Sequence, residues 1–341
     1  MGAYIKPVDR SVLYLQETHI SRTISSDNID TILEVRRSDN RISKLYSSGL
    51  IHNRVLTLLN EMGLYGVLRC GFRPIDNHLI TALVERWRRE THTFHLRVGE
   101  ATVTLQDVEI IWGLNIKGQP VTGTDMSHTA EEWRQKCVEL LGFAPTASLV
   151  TGGRLSISVL DAHCRENQID NDSSDLEVVQ YTRCIALMVI GGCMFPDSRG
   201  GVVSLMYLQL LLNIPRVSRY SWGSAVLSFL YRELCKSSII GRKIICGPLL
   251  ILQIWAWSRM TSLSPDVHGY CHIVPAAPDV NDNDYDTILP IAPYGARWAR
   301  HFSHTHTSTH SVRIIREILD LMEDGQVFIN QYSSILILTF N

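Results

Sequence analysis

The sequence predicts a mainly α-helical fold, a compact multi-helix domain with a small β-hairpin near residues 94–104. Three observations lead to this fold class. From Leu50 onward, apolar residues recur at spacings of three and four, the period of a helix that buries one face. Capping residues and glycines stand where such helices begin and end. Between Phe94 and Leu105 the period changes to two, which is typical of strands.

Two helices are predicted before the hairpin. Residues 50–62 form the first, which ends at Gly63. The second begins after Asp76, because an aspartate carboxylate accepts hydrogen bonds from the free N–H groups of a first turn, and it runs to Trp87. Basic side chains at its end offset the negative pole of the helix dipole: Arg86, Arg88 and Arg89.

The hairpin is predicted from residues 94–96 and 102–104, which alternate between apolar and polar side chains around a glycine turn. It leads directly into a helix that ends at Gly113. Thr104 and Asp107 have the spacing of a capping box, in which each side chain accepts a hydrogen bond from the other residue's backbone N–H. The hairpin and this helix therefore form one supersecondary unit.

Later helices carry similar start signals. Thr129 and Ser174 each have a glutamate three residues later, which is again the capping-box spacing. Pro248 predicts a further helix start, because proline is tolerated in a first turn, where its missing N–H needs no partner. Residues 174–195 are apolar nearly all round, so this helix is expected at the centre of the core.

The chain divides into three parts by pattern. Residues 1–49 form an N-terminal extension, residues 50–332 the main domain, and residues 333–341 an apolar tail that a truncated end would explain. Loops are predicted at residues 142–153 and 264–295. The second loop contains five prolines and an acidic run, and both a domain boundary and a long insertion fit it.

Composition excludes several classes of protein. The 45% hydrophobic content can fill a substantial core, and a net charge of −2 gives no global attraction to nucleic acid or to an anionic membrane. The eight cysteines are scattered without a C-x-x-C pair, which indicates reduced thiols of an intracellular protein. The longest apolar runs, residues 184–195 and 247–257, are shorter than the roughly 20 residues of a membrane-spanning helix. Secretion and membrane association are therefore not expected.

The densest basic group comprises Arg86, Arg88, Arg89 and Arg97. Because a guanidinium group binds carboxylate or phosphate in a planar fork, these four residues are the interaction candidates of the sequence. A solvated helix end explains them equally well.

Trp222, Trp255 and Trp257 could line a pocket, but tryptophans within apolar helices are more often core anchors, and we predict that role.

One histidine-rich segment contains zinc-ligand types, but it does not have the spacing of a closed structural site. We therefore predict a solvated loop and no metal site there. Its residues are His301, His304, His306 and His310, preceded by His268, Cys271 and His272.

Many short segments form a recognisable pattern when taken in order. Among them are Trp112-Gly113-Leu114, Phe195-Pro196-Asp197, and Tyr220-Ser221-Trp222-Gly223, with further segments at residues 63–68, 80–88, 91–96, 230–235 and 252–257. Together they resemble the plant mobile domain family, which includes the MAIN-like meristem-maintenance proteins. The C-terminal residues 328–332 depart from the tryptophan and Pro-Tyr pair that the family usually has. This departure suggests a truncated, diverged or mobile-element copy.

The resemblance implies a non-catalytic protein interaction module of the nucleus, with the cytoplasm left open, acting in gene or transposon silencing and meristem maintenance. It also implies a protein partner, for which a phosphatase-7-like phosphoprotein phosphatase is the candidate. The alternative is a transposon-derived nucleic-acid-binding protein that uses a local arginine surface. Nucleic acid is less favoured because the chain is nearly neutral.

Members of this family are often called aminotransferase-like, but the residues do not support that activity. None of the six lysines has the context of a Schiff-base lysine on an α/β scaffold. The ligand motifs of a two-metal phosphatase, the P-loop and the dinucleotide fingerprint are also missing from the sequence. We therefore expect no catalytic residues, no cofactor and no enzymatic activity.

Overall fold

The helical pattern of the sequence corresponds to twelve α-helices in the part of the chain that the computed structural model describes. That part comprises residues 13–22, 31–122, 128–198, 201–265, 293–299, 311–323 and 325–327. The helices are α1 (Asn40–Ser47), α2 (Asn53–Glu61), α3 (Tyr65–Arg69), α4 (Asn77–Val84), α5 (Leu105–Trp112), α6 (Ala130–Leu141), α7 (Ile157–Glu166), α8 (Asp175–Val189), α9 (Ile214–Val217), α10 (Trp222–Ser237), α11 (Leu249–Arg259) and α12 (Val312–Asp320). The predicted mainly α fold class is confirmed.

Seven short strands form three small sheets among the described residues. They are β1 (Glu34–Val35), β2 (Trp87–Arg88), β3 (Thr93–Leu96), β4 (Gly99–Ala101), β5 (Arg154–Ser156), β6 (Val202–Ser204) and β7 (Ile244–Ile245). Strands β2, β3 and β4 form an antiparallel sheet, β5 pairs with β6 in antiparallel fashion, and β1 pairs with β7 in parallel. The predicted hairpin is confirmed as β3 and β4, with Phe94 opposite Ala101. Its second strand lies earlier than predicted, at Gly99–Ala101 and not at residues 102–104, so Gly99 begins the strand and the turn is at residues 97 and 98.

The second predicted helix is shorter than expected. Helix α4 ends at Val84, and Trp87, which was predicted to close the helix, instead begins β2 opposite Phe94. The reason is tertiary packing, because the Trp87 ring lies edge-on to Phe94 at 4.9 Å and to Tyr231 at 5.0 Å between ring centroids. Such contacts outweigh a weak local preference for helix.

Most of the predicted capping signals are present in the structure. Capping boxes form at Thr104, Thr129 and Ser174, each with the acidic residue three positions later. Gly113 and Gly142 end their helices in the left-handed conformation that glycine favours. Pro248 lies one position earlier than expected, at the N-cap of α11.

Helix α8 lies at the centre of the core, as predicted. Residues from Tyr181 to Ile190 are all buried, and α8 packs against α2, α6 and α7. A π-helical turn, Ile190–Met194, continues it. By length and composition the stretch Asp175–Met194 could cross a membrane, but 78% of its apolar window is buried inside the protein, as in the core helix of a soluble protein.

The π-helical turn depends on two glycines. A Cβ atom at Gly191 would lie 2.5 Å from the Cβ of Val203 in β6, a distance at which two carbon atoms clash. At Gly192 a Cβ atom would lie 3.1 Å from the Ser38 carbonyl oxygen, just before α1. Glycine therefore allows β6 and the segment before α1 to pack directly against the end of the central helix.

The predicted N-terminal extension contributes to the core in its described part. Leu13, Leu33, Ile42 and Leu45 are each 1% exposed or less. The segment also pairs with the rest of the chain, because β1 lies beside β7 and His19 forms an isolated bridge with Ile239. Residues 266–292, which make up most of the long predicted loop, and the tail at residues 333–341 lie outside the described residues.

The prediction that Trp222, Trp255 and Trp257 are core residues is confirmed, because they are 1%, 1% and 7% exposed. The indole N–H of Trp222 also donates a 2.9 Å hydrogen bond to the Val217 carbonyl. All three rings are therefore part of the closely packed core.

Replacing Trp222 with alanine is expected to lower the free energy of unfolding by about 3 to 5 kcal/mol, because the change removes a buried ring and leaves a cavity. Denaturant unfolding followed by circular dichroism measures this. The control is Tyr14→Ala, because Tyr14 is 73% exposed and its loss should change stability by less than about 0.5 kcal/mol. Equal stability of the Trp222→Ala variant and the unaltered protein would contradict the assignment.

Candidate interaction site

The four predicted interaction arginines do not form one surface. Arg86 and Arg88 are each 2% exposed, Arg89 is partly buried, and Arg97 is exposed in the turn of the hairpin. The expectation of a joint basic patch is therefore wrong for the first two residues. Their guanidinium groups bind acceptors within the protein. Most of these acceptors are distant in the sequence.

Arg86 joins α4 to α12. Its guanidinium group forms an ion pair with Asp320 and donates hydrogen bonds to the carbonyl oxygens of Ala82, at 3.0 Å, and Arg316, at 3.2 Å. The neighbouring Glu85 accepts two hydrogen bonds from Arg316, at 2.7 and 2.8 Å. Two adjacent ion pairs therefore attach α12 to the end of α4. In one the arginine comes from the end of α4, and in the other it comes from α12.

Arg88 and Arg89 bind the N-terminal segment. Arg88 donates to the side chain of Gln16 at 2.7 Å, and Arg89 donates to the Leu15 carbonyl at 3.1 Å. The carboxylate of Glu90 accepts the Leu15 backbone N–H at 2.8 Å. These side chains hold residues 13–22 against β2, so their function in this structure is internal.

His19 is the buried centre of this contact. One ring nitrogen lies 2.7 Å from the Trp87 carbonyl oxygen and the other 2.8 Å from the Ser21 hydroxyl. Burial, together with the nearby positive charge of Arg88, lowers the pKa of His19 to about 3. The imidazole is therefore neutral at physiological pH.

A cleft beside the π-helical turn is a candidate site among the described residues. Its cavity volume is about 360 Å³, within the range of pockets that bind ligands. It lies between residues 191–198, β6, the 3₁₀-helix Leu205–Leu211 and α10. π-helical turns occur frequently at functional sites, because they displace the chain that follows them.

Aromatic side chains line one part of the cleft. The rings of Phe195 and Tyr207 stack at 5.5 Å between centroids with 12° between their planes, and Phe229 meets Phe195 edge-on at 5.5 Å. All three rings are half-buried, so each presents part of its surface to the opening. Burial raises the pKa of the Tyr207 hydroxyl to about 12, so this hydroxyl remains protonated and can donate a hydrogen bond.

Charged side chains line the other part. Arg154, Arg232 and Lys236 are 38%, 58% and 50% exposed in their side chains, whereas the carboxylates of Asp197 and Glu233 are recessed at 22% and 9%. The cations therefore stand at the rim and the carboxylates in the wall.

The wall of the cleft lacks an activated nucleophile. Burial and the adjacent Glu233 carboxylate raise the pKa of the Cys246 thiol to about 12, and the thiol donates a 3.2 Å hydrogen bond to that carboxylate. A protonated thiol is a poor nucleophile. Within the described ranges of the chain there is no group of three or more histidine, cysteine, aspartate or glutamate residues that could hold a metal ion.

The histidine-rich segment was predicted to be a solvated loop without a metal site. His301, His304, His306 and His310, together with His268, Cys271 and His272, lie outside the described residues. The expectation that they form no metal site therefore stays a prediction.

Comparison with known proteins places the chain in a family. The sequence model of the plant mobile domain matches residues 63–338. The chain belongs to the plant mobile domain family. This confirms the resemblance noted from the sequence, and no solved structure matches the chain.

Three Arabidopsis thaliana proteins are similar to this chain. The chain is 37% identical over 331 residues to "Serine/threonine-protein phosphatase 7 long form homolog", 32% identical over 321 residues to "Protein MAIN-LIKE 2", and 34% identical over 249 residues to "Protein MAINTENANCE OF MERISTEMS". These matches cover 96%, 94% and 73% of this chain. They span 23%, 44% and 50% of the length of the relatives, which are thus at least about twice as long as the matched region.

The whole cleft lies inside the plant mobile domain match, whereas residues 13–22 precede it. The sequence alone did not identify the cleft. Phe195, Pro196, Asp197 and Arg232 stood out only as parts of matched segments, because nothing in their spacing shows that β6 and α10 bring them together. The glycine pair before Phe195 was the one local signal of an unusual backbone.

Arg86→Ala is expected to destabilise this plant mobile domain by about 3 kcal/mol or more, because it leaves Asp320 without its buried partner. Arg97→Ala should cost less than about 0.5 kcal/mol, since Arg97 is exposed. Thermal and denaturant unfolding of both variants measures the difference. If the two variants were equally stable, the structural role of Arg86 would be excluded.

The free energy of unfolding is expected to fall as the pH falls below 6.5. Between pH 6.5 and about 3, the unfolded chain binds a proton at His19 that the folded chain does not. The contribution approaches about 1.4 kcal/mol for each pH unit. Denaturant unfolding of the unaltered protein and of His19→Gln between pH 7 and 5 isolates this effect, because all other groups titrate in both. Parallel stability curves for the two proteins would show that His19 is not buried in its neutral form.

Proposed function

We propose that this plant mobile domain is a non-catalytic protein interaction module acting in nuclear gene or transposon silencing and in meristem maintenance. The observation that carries the proposal is the cleft beside the π-helical turn, which combines stacked aromatic rings with charged side chains at its rim. Aromatic and arginine residues are enriched at protein interfaces, because they bury large areas and form directed hydrogen bonds.

The chemistry of the cleft favours binding over catalysis. Its thiol and its phenol have raised pKa values and are protonated at neutral pH. The Glu233 carboxylate accepts hydrogen bonds from Lys236, at 2.8 Å, and from Cys246. A carboxylate held in this way is poorly placed to act as a general base.

The names of the relatives support the biological setting. Two of them are named for the maintenance of meristems or as resembling such a protein, and one is named as a homolog of the long form of serine/threonine-protein phosphatase 7. We therefore propose a phosphatase-7-like phosphoprotein phosphatase as the first partner to test, and the nucleus as the place of action. Any enzymatic activity in such an assembly then belongs to the partner.

The alternative of a nucleic-acid-binding protein loses its main support. It required Arg86, Arg88, Arg89 and Arg97 to form an exposed surface, and the first two are buried in contacts with the protein itself. Phosphate binding would need an accessible row of cations. We therefore rank it second.

Affinity purification from plant nuclei, with and without nuclease, tests the proposed function. The blocking variant is Ser198→Trp, because Ser198 is exposed at the cleft and a large ring there fills the opening without disturbing the core. The matched control is Ser47→Trp, at an exposed position at the end of α1. We expect nuclease-resistant protein partners, including a phosphatase-7-like protein, with the unaltered protein and the control, and their loss with the blocking variant.

Two results would contradict the proposal. If nuclease released every partner, the chain would be held through nucleic acid. If Ser198→Trp retained all partners, another surface would carry the interaction. Circular dichroism of the variants establishes that each is folded.

A further inference from the structure

The orientation of Arg232 indicates which kind of chemical group the cleft could bind. Its guanidinium group lies over the ring of Phe229, 4.6 Å from the ring centroid, and only its Nε atom approaches a carboxylate, Glu233 Oε1 at 3.4 Å. Its two terminal nitrogens have no hydrogen-bond acceptor among the described residues. A guanidinium group fixed by stacking, with its outer nitrogens open, is a preorganised receptor for an anion.

Arg154 lies at the rim of the same cleft, and its guanidinium group is also accessible to a ligand. It pairs with Asp197, whose carboxylate oxygen lies 3.8 Å from Nη1, too far for a hydrogen bond. In the described chain it makes no other side-chain hydrogen bond. A ligand anion would therefore gain the hydrogen bonds of Arg154 without breaking a short internal pair.

The recessed carboxylate of Glu233 does not cancel this attraction. Its charge is balanced by Lys236, whose ammonium nitrogen lies 2.8 Å from Oε1, while Oε2 accepts the Cys246 thiol. The cleft thus contains three cations and two carboxylates. The cations are the more exposed groups, so the surface of the cleft is positively charged. Complementarity therefore favours a negatively charged ligand.

The aromatic wall adds an apolar contact within the same cavity. Phe195 and Tyr207 present half-buried rings, so an aromatic or long aliphatic side chain can pack on them while a neighbouring carboxylate reaches Arg232. A volume of about 360 Å³ accommodates a few side chains. A nucleic-acid strand would instead place one phosphate after another along a track of cations, and this cleft offers only three cations.

We infer that the cleft binds an acidic peptide segment of a partner protein. Carboxylates of that segment bind Arg232 and Arg154, and an adjacent aromatic side chain packs on the Phe195–Tyr207 stack. The inference rests on the proposed function, and it adds the chemical class of the segment that the module recognises. Residues 195–198 supply the mouth of the cleft, so the π-helical turn determines where the segment enters.

Fluorescence anisotropy with the full chain tests the inference. The probe is a fluorescein-labelled peptide of about eight residues, aspartate and glutamate around one tyrosine, and the matched probe carries asparagine and glutamine in place of the acids. We expect the acidic peptide to bind at least about tenfold more tightly than the amide peptide, because charge-assisted hydrogen bonds are stronger than neutral ones.

The variant that removes the receptor is Arg154→Gln combined with Arg232→Gln. It should weaken binding of the acidic peptide by about tenfold or more, and high salt should weaken binding to the unaltered protein. Arg216→Gln is the matched control, because Arg216 is exposed on α9 and does not line the cleft. If the double variant proves unstable in a thermal melt, Arg232→Lys alone replaces it, since lysine keeps the charge but loses the planar fork.

Equal affinity for the acidic and amide peptides, or equal affinity of the double variant and the control, would overturn the inference. Tighter binding of a single-stranded RNA of matched length, lost in the double variant, would also overturn it. The proposed function is judged separately. The protein could lose its nuclear partners in the Ser198→Trp variant and yet show no affinity for the acidic peptide. That result would support the proposed interaction module and contradict only the inference that its ligand is an acidic segment.

Discussion

The close approach of strand β6 to the π-helical turn is the constraint on which both the core and the cleft depend. Gly191 permits this approach, because any side chain there would collide with Val203. The turn continues the buried helix α8, so its position is set by a helix at the centre of the core. The chain that leaves the turn then delivers Phe195 and Asp197 to the mouth of the cleft. The buried end of the central helix therefore positions the mouth of the cleft.

Local features of the fold were predictable, because they depend on residues close together in the chain. A capping box needs only two side chains three positions apart, and Thr104, Thr129 and Ser174 all begin helices as predicted. The strand at Trp87 was not predictable in this way. Its pairing with Phe94 and its packing against Tyr231 override a pattern that favours helix. The end of α4 was consequently placed too late.

The candidate site was still harder to predict, because it depends almost entirely on contacts between residues that are distant in the sequence. A run of arginines resembles a solvated basic patch when its acceptors are unknown, and the partners of Arg86 and Arg88 are distant in sequence. Buried guanidinium groups require such partners, because an unpaired charge in the core is very costly. Conversely, Arg232 gave no signal in the sequence beyond its membership of a matched segment. The role that we propose for it is argued from its stacking on Phe229 and from the neighbours that three separate elements supply.

The contacts of the N-terminal segment and of α12 bear on how the chain acquires its structure during synthesis. Strand β1 pairs with β7, joining Glu34 to Ile244, and Glu85 meets Arg316 across 231 positions of sequence. Contacts between such distant residues carry a large entropic cost of loop closure and slow folding. On the ribosome, the early residues must therefore wait for most of the chain to emerge. During this interval apolar side chains such as Leu33, Ile42 and Leu45 lack the partners that bury them in the folded chain, and exposed apolar surface of this kind favours aggregation.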